Sequence, residues 1–108
     1  MPATSDPEDL KLVTLARSAR ARNGATEGAA VRDDMGRTYA ASTVDLPSLR
    51  LTAVQAAVAA ALSSGSDRLE AVAVVGETEV LDDSDAAVLA DVAVTTVLLA
   101  GPDGTLRG

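Results

Sequence analysis

Two periods of hydrophobic spacing run through this chain, and the switches between them mark its elements. Leu10, Leu12, Val13, Leu15, Ala16 and Ala19 recur at helical spacing. Asp6-Pro7-Glu8-Asp9 ahead of them offers a cap, a first-turn proline and acids against the positive end of the helix dipole. Arg17, Arg20 and Arg22 sit at the negative end, before Asn23-Gly24. The pattern predicts an amphipathic helix over 6–22. Gly28–Arg32 then reads as a strand, Asp33-Asp34-Met35-Gly36 as a turn and Arg37–Val44 as the returning strand of an antiparallel hairpin.

From Leu49 to Gly65 the helical period returns. Leu51, Val54, Val58, Ala61 and Leu62 mark one face, most other positions are Ala, and no charge follows Arg50. Helices apolar all round are buried all round. One sheet covers one side, so the other is expected to meet another layer or another copy of the chain, with Ala53, Ala56, Ala57 and Ala60 as the candidate oligomer interface. Leu69–Val75 has the continuous apolar character of an interior strand. Glu77–Asp85 is acidic and turn-like, and its last residues cap a short helix predicted over Ala86–Val92. Val94–Ala100 is a second buried-type strand, followed by a Pro102-Asp103-Gly104 turn. A hairpin followed by right-handed crossovers implies an α/β chain: a three-layer α/β/α sandwich around a mixed sheet of about four to five strands.

At 108 residues the chain is one domain, expected over 6–108 behind a flexible tail at 1–5. Its apolar residues are almost all Ala, Val and Leu, with Tyr39 the only aromatic. Such a core stabilises less per position, and subunit association would add to it. A net charge of −7 argues against nucleic acid and anionic membranes as partners. No run approaches the roughly 18–20 apolar residues of a membrane span, and the N-terminus lacks a basic-then-apolar signal, so a cytoplasmic location is expected. The absence of Cys and His changes the picture most. It removes disulfides, thiolate nucleophiles, the commonest general base and the usual zinc ligands. The serines have no His to activate them, and Lys11, the sole lysine, lies on the amphipathic helix. No phosphate-loop spacing of Gly and Lys is present.

Several matches, in order, resemble the small, homotetrameric type of cytidine deaminase. Gly28-Ala29-Ala30 is similar to that family's Gly-Ala-Ala strand, and Gly36-Arg37-Thr38-Tyr39 to its Asp-Gly-Arg-x-Tyr turn. Thr43-Val44-Asp45 stands where the family has Asn-x-Glu. The Ala-rich helix takes the place of the helix opened by Cys-Ala-Glu. Ala86-Ala87-Val88-Leu89-Ala90-Asp91 resembles the tail of the Pro-Cys-x-x-Cys helix. The resemblance implies a zinc ion that activates water and a Glu that shuttles protons. Laid together from the shared Gly end of the helix, Thr52 falls at the first zinc ligand, Val54 at the catalytic Glu, and Asp82 and Asp85 at the Cys pair. No register supplies a Cys or His, so no zinc and no other cofactor is expected. The aspartates would suit Mg²⁺ or Ca²⁺ better, but a helix cap and a solvated acidic loop explain them.

Thr43 and Asp45 keep hydrogen-bonding groups where the family grips the nucleoside sugar, and with Arg37 they form the candidate relic ligand site. The family's stacking aromatic aligns near Ala25, which leaves no stacking surface. The resemblance also implies a C-terminally shortened fold, with one sheet edge open or paired to another subunit. The leading expectation is a catalytically inactive deaminase-like protein that acts through association, as a homo-oligomer (dimer or tetramer) or with a protein partner. The alternative is a nucleoside or nucleotide sensor using the relic pocket. Residual deaminase activity ranks last.

Overall fold

The computed structural model describes residues 6–107; the tail expected at 1–5 lies outside the described residues. The elements are α1 (Pro7–Asn23), β1 (Glu27–Asp33), β2 (Thr38–Ser42), β3 (Val44–Leu46), β4 (Leu49–Leu51), α2 (Ala53–Ser63), β5 (Leu69–Gly76), α3 (Asp83–Asp91) and β6 (Thr96–Ala100). Four strands form one mixed sheet in the order β2-β1-β5-β6, and β3 and β4 form a separate ribbon. β1 is antiparallel to both β2 and β5, while β5 and β6 are parallel. That parallel pair needs a crossover, which α3 supplies.

Alternation along the central strands sorts the core into two layers. Ala30, Ala71, Ala73 and Val75 face α1, where Leu12, Val13 and Ala16 meet them. Ala29, Val31, Val72 and Val74 face the other way, onto Ala53, Val54, Ala57, Val58 and Ala61 of α2 and Leu89 of α3. The result is the expected α/β/α sandwich. Small residues let the layers approach. A Cβ on Gly28 would lie 2.0 Å from the Ala16 carbonyl oxygen and 2.8 Å from the Arg20 nitrogen, so only glycine lets α1 lie this close to β1.

α1 follows its sequence signals. The Asp6 carboxylate accepts from Glu8 N at 2.9 Å, and Gly24 ends the helix in the left-handed region at φ 58°. Asp9 does more than oppose the dipole. It is buried and pairs at 3.0 Å with Arg32 of β1, which also reaches Glu70 of β5 at 2.6 Å. Burial works against the Arg32 charge, but the hydrogen bonds to Glu70 and Asp9 hold its pKa above the ordinary value.

Four expectations need correction. First, Leu49–Leu51 lies in the ribbon rather than in the long helix, paired with Val44–Leu46, and α2 begins at Ala53. Thr52 sets that start through a capping box: its hydroxyl accepts from Gln55 N, and the Gln55 side chain accepts from Thr52 N. Second, α2 is not buried all round. Leu62 is 43% exposed, Ala59 is exposed, and Ala56 and Ala60 are half-buried. Ala53 and Ala57 are wholly covered by the chain's own sheet, so they cannot serve as interface residues. Third, β2 stops at Ser42 because Thr43 turns back onto β1: its amide donates to the Glu27 carbonyl and its hydroxyl accepts from the Glu27 amide, both at 3.1 Å. Fourth, the β6 edge is partly covered by the chain itself. Arg107 N donates to the Leu99 carbonyl at 2.8 Å, beside an Ala100–Leu106 bridge. Among the described residues no helix is long and apolar enough to cross a membrane.

Candidate functional site

The parallel strands β5 and β6 end on the same side of the sheet, where open α/β sheets generally place their sites. The loop after β5 and the starts of α2 and α3 meet there around a cavity of about 370 Å³. Thr26, Glu27, Thr43, Thr52, Asp82 and Asp85 supply its polar wall. Val74 and Leu99 from the two strands, with Leu81 and Val80 from the loop, supply the apolar part.

Thr52, Asp82 and Asp85 are distant in sequence, and the fold brings them together here. The Thr52 hydroxyl donates to Asp85 Oδ1 at 2.7 Å while accepting from Gln55 N at 3.0 Å. One side chain thus caps α2 and ties it to α3. Asp85 is only 4% exposed. Burial pushes its carboxyl above the ordinary carboxylate value, the Thr52 hydrogen bond works in the opposite direction, and the charge of Asp82 adds to the rise. Asp82 occupies the cap position of α3 without a side-chain capping bond; its carboxylate accepts from the Ser84 hydroxyl. Val54 is fully buried between α2 and the sheet, in the apolar core.

The candidate ligand residues divide. Thr43 lines this cavity and also a smaller one of about 260 Å³ beside it, where Asp45, Arg50 and Gln55 join the wall. Asp45 and Arg50 form an exposed ion pair at 3.3 Å across the ribbon. Arg37 does not belong with them. It precedes β2 whereas Thr43 follows it, and six residue steps of extended strand separate the two by about 20 Å. Arg37 pairs instead with Asp33 at 2.8 Å. Asp33 is wholly buried and also accepts from Ser66 Oγ at 2.6 Å and from the amides of Met35 and Arg37. The Ser66 bond foremost, with those backbone donors and Arg37, holds its carboxyl at about 2. This cluster pins the hairpin turn to the loop after α2.

Sequence reasoning did not find Thr26, Glu27 or Thr78 as cavity residues. They are isolated polar positions in loops or at a strand end, and only the sheet register makes them neighbours. The capping role of Thr52 was missed, although Thr-x-x-Gln is a capping-box spacing that could have revealed it.

Zinc, which the resemblance implies, does not fit this donor set. Zinc sites combine thiolate and imidazole ligands, with carboxylates as an addition to them, and the chain has neither Cys nor His. The Thr52 hydroxyl already gives its proton to Asp85, and Ser84 occupies an oxygen of Asp82. Among the described residues, no group of three His, Cys, Asp or Glu is placed to hold a metal ion.

The fold has counterparts among known proteins. Residues 5–104 match the family model described as cytidine deaminase-like. The crystal structure of a cytidine deaminase from Burkholderia pseudomallei is 26% identical, with a TM-score of 0.77 over 90% of this chain and 87% of that one. A cytidine deaminase from Mycobacterium tuberculosis is 30% identical, with a TM-score of 0.73 over 94% of this chain and 90% of its own. That of Mycobacterium leprae, at 22% identity and a TM-score of 0.69, shares the fold. No curated protein matches the chain. With nearly its whole length spanned by the family model, and with the sandwich and strand order above, the chain belongs to the cytidine deaminase-like family.

Proposed function

We propose that this chain is a catalytically silent member of its family that works by association, with copies of itself or with a protein partner, in the cytoplasm. The observation that carries the loss of chemistry is the Thr52–Asp85 hydrogen bond. A neutral hydroxyl and two carboxylates stand at the positions the resemblance gives to the zinc ligands, and Val54, at that of the proton-shuttling Glu, is closed into the core. Val54 has no group that could move a proton to a base, and a hydroxyl with two carboxylates does not hold zinc to activate water as a thiolate set does.

Charge supports the association. The chain carries −7, so copies repel one another except through a neutral surface. Residues 51–66 hold no charge at all, and in 44–50 Asp45 and Arg50 cancel. The outward side of α2, with Ala56, Ala59, Ala60 and Leu62, belongs to this neutral stretch. So does the ribbon tip, where Leu46 and Leu49 are 54% and 48% exposed. Size-exclusion chromatography with light scattering tests this. A mass that is a multiple of 10.9 kDa is expected, and a monomer at micromolar concentration removes the support for self-association.

A second reading is favoured by the cavity itself, whose volume falls in the range of small-ligand sites. Binding of a nucleoside through Thr43, which lines both cavities, with Asp45 in the smaller neighbouring one, would appear as a rise in Tm. At a hundredfold excess over Kd the stabilisation is about 2.7 kcal/mol. No shift with millimolar cytidine or uridine argues against it.

A further inference from the structure

The end of α1 carries a chemistry that the proposed association does not use. Asn23 is the sole asparagine of the chain, Gly24 follows it, and both are exposed to water. An asparagine before glycine is open to attack on its own side chain by the next backbone nitrogen, because glycine sets no Cβ in the way and turns freely into the ring that forms. Two restraints oppose that attack here. Asn23 is the last helical residue of α1, and the Gly24 amide donates back to the Ala21 carbonyl at a long 3.3 Å. The Asn23 side-chain nitrogen donates to Ser42 Oγ at 2.8 Å, at the buried end of β2. Helix ends fray, so the first restraint opens readily. The second ties the side chain to another element and persists while α1 and β2 stay packed.

We infer that Asn23 is a site of spontaneous deamidation, gated by its hydrogen bond to Ser42. Once the bond opens, the Gly24 nitrogen gives its proton to solvent and attacks Asn23 Cγ. The new C–N bond closes a five-membered succinimide, and the side-chain nitrogen takes a proton from water and leaves as ammonia. A water molecule then opens the ring at either carbonyl, giving aspartate or isoaspartate, with no oxidant or reductant required. Both products exchange a neutral donor for a carboxylate, which Ser42 can meet only by turning its hydroxyl into the donor. The added charge also stands at the negative end of the α1 dipole. Isoaspartate further lengthens the main chain by one carbon, close before Thr26. Thr26 and Thr43, the residue after Ser42, both line the cavity, so the change reaches its wall. The site lies at the end of α1 rather than on the outward face of α2, so the inference stands or falls separately from the association.

The test incubates the intact protein in warm, mildly alkaline buffer and follows by mass spectrometry the gain that marks conversion of an amide to an acid, with peptide mapping to place it. Expected is a first-order gain at Asn23 that yields both aspartate and isoaspartate and quickens as pH rises. Ser42→Ala should convert about fivefold faster than the native chain, the factor set by loss of one ordinary hydrogen bond. The urea-unfolded chain should convert faster still, and Gly24→Ala more slowly than the native chain. Should Ser42→Ala fail to fold, hydrogen exchange of the Asn23 side-chain amide in the native chain decides, since it should be slower than in the unfolded chain. No conversion of the native chain over a time in which the unfolded chain converts fully, an unchanged rate in Ser42→Ala, or unprotected exchange of that side-chain amide would each overturn the inference.

Discussion

Asp33 and Asp85 are both buried carboxylates, and they respond to pH with opposite signs. Asp33 is held at about 2, below its ordinary 3.8, so its contribution to stability is complete above that ordinary value and is lost as pH falls through about 2. Asp85 is raised by burial, so its contribution is complete below the ordinary value and is lost as pH rises through its elevated one. Thermal melts against pH separate them. The Tm advantage of the native chain over Asp33→Asn should grow from pH 2 upward, while its advantage over Asp85→Asn should shrink toward neutral pH. Parallel profiles for the two variants would contradict these assignments. Gly28 is a second residue-level test. Gly28→Ala drives a Cβ into the backbone of α1, not into a movable side chain, and should cost on the order of 3 kcal/mol in urea unfolding. The Ser66 partner of Asp33 could not be read beforehand, since it lies 33 positions away and only the folded sheet brings it near.

At the scale of elements, most of the chain was legible because its periods change cleanly. α1, β1, the Asp33–Gly36 turn and β5 stand within a residue or two of where their caps, turn residues and apolar runs place them. The start of α2 was misread because Leu51 sits at a helical interval from Val54 and Val58, while the local signal of Thr52 and Gln55 points to Ala53. Hydrophobic spacing and capping disagreed there, and capping prevailed because Leu49–Leu51 finds strand partners in Val44–Leu46. The same residue joins two helices, which gives a measurable coupling. Thr52→Val removes a cap, at a cost of about 1 kcal/mol, together with the bond to Asp85. A double-mutant cycle with Asp85→Asn, run at one fixed protein concentration, should show an interaction of about 1 kcal/mol, within the range for hydrogen-bonded neighbours. Additive effects would mean that the two helix starts are not tied together through this pair.

For the whole molecule, an apolar helix with no charged stripe implied two covered sides, and the fold provides one. The sheet takes Ala53 and Ala57, leaving Ala56, Ala59, Ala60 and Leu62 outward. Composition explains why the sequence alone could not assign those sides: Ala occupies both the inner and outer face of α2, so burial leaves no contrast to read. A charge placed on the outer face should therefore be tolerated by the fold and not by the assembly. Ala60→Glu is expected to shift the light-scattering mass toward 10.9 kDa with little change in far-UV circular dichroism. An unchanged mass would move the interface elsewhere.

The loss of hydrolytic chemistry is the step on which the rest turns, and it can be measured in one assay. The purified chain, supplied with zinc and incubated with cytidine, should release no uridine above the rate of a heat-denatured control. Zinc-dependent, saturable formation of uridine that disappears in Asp85→Asn would contradict the reading and make this cavity an active site after all.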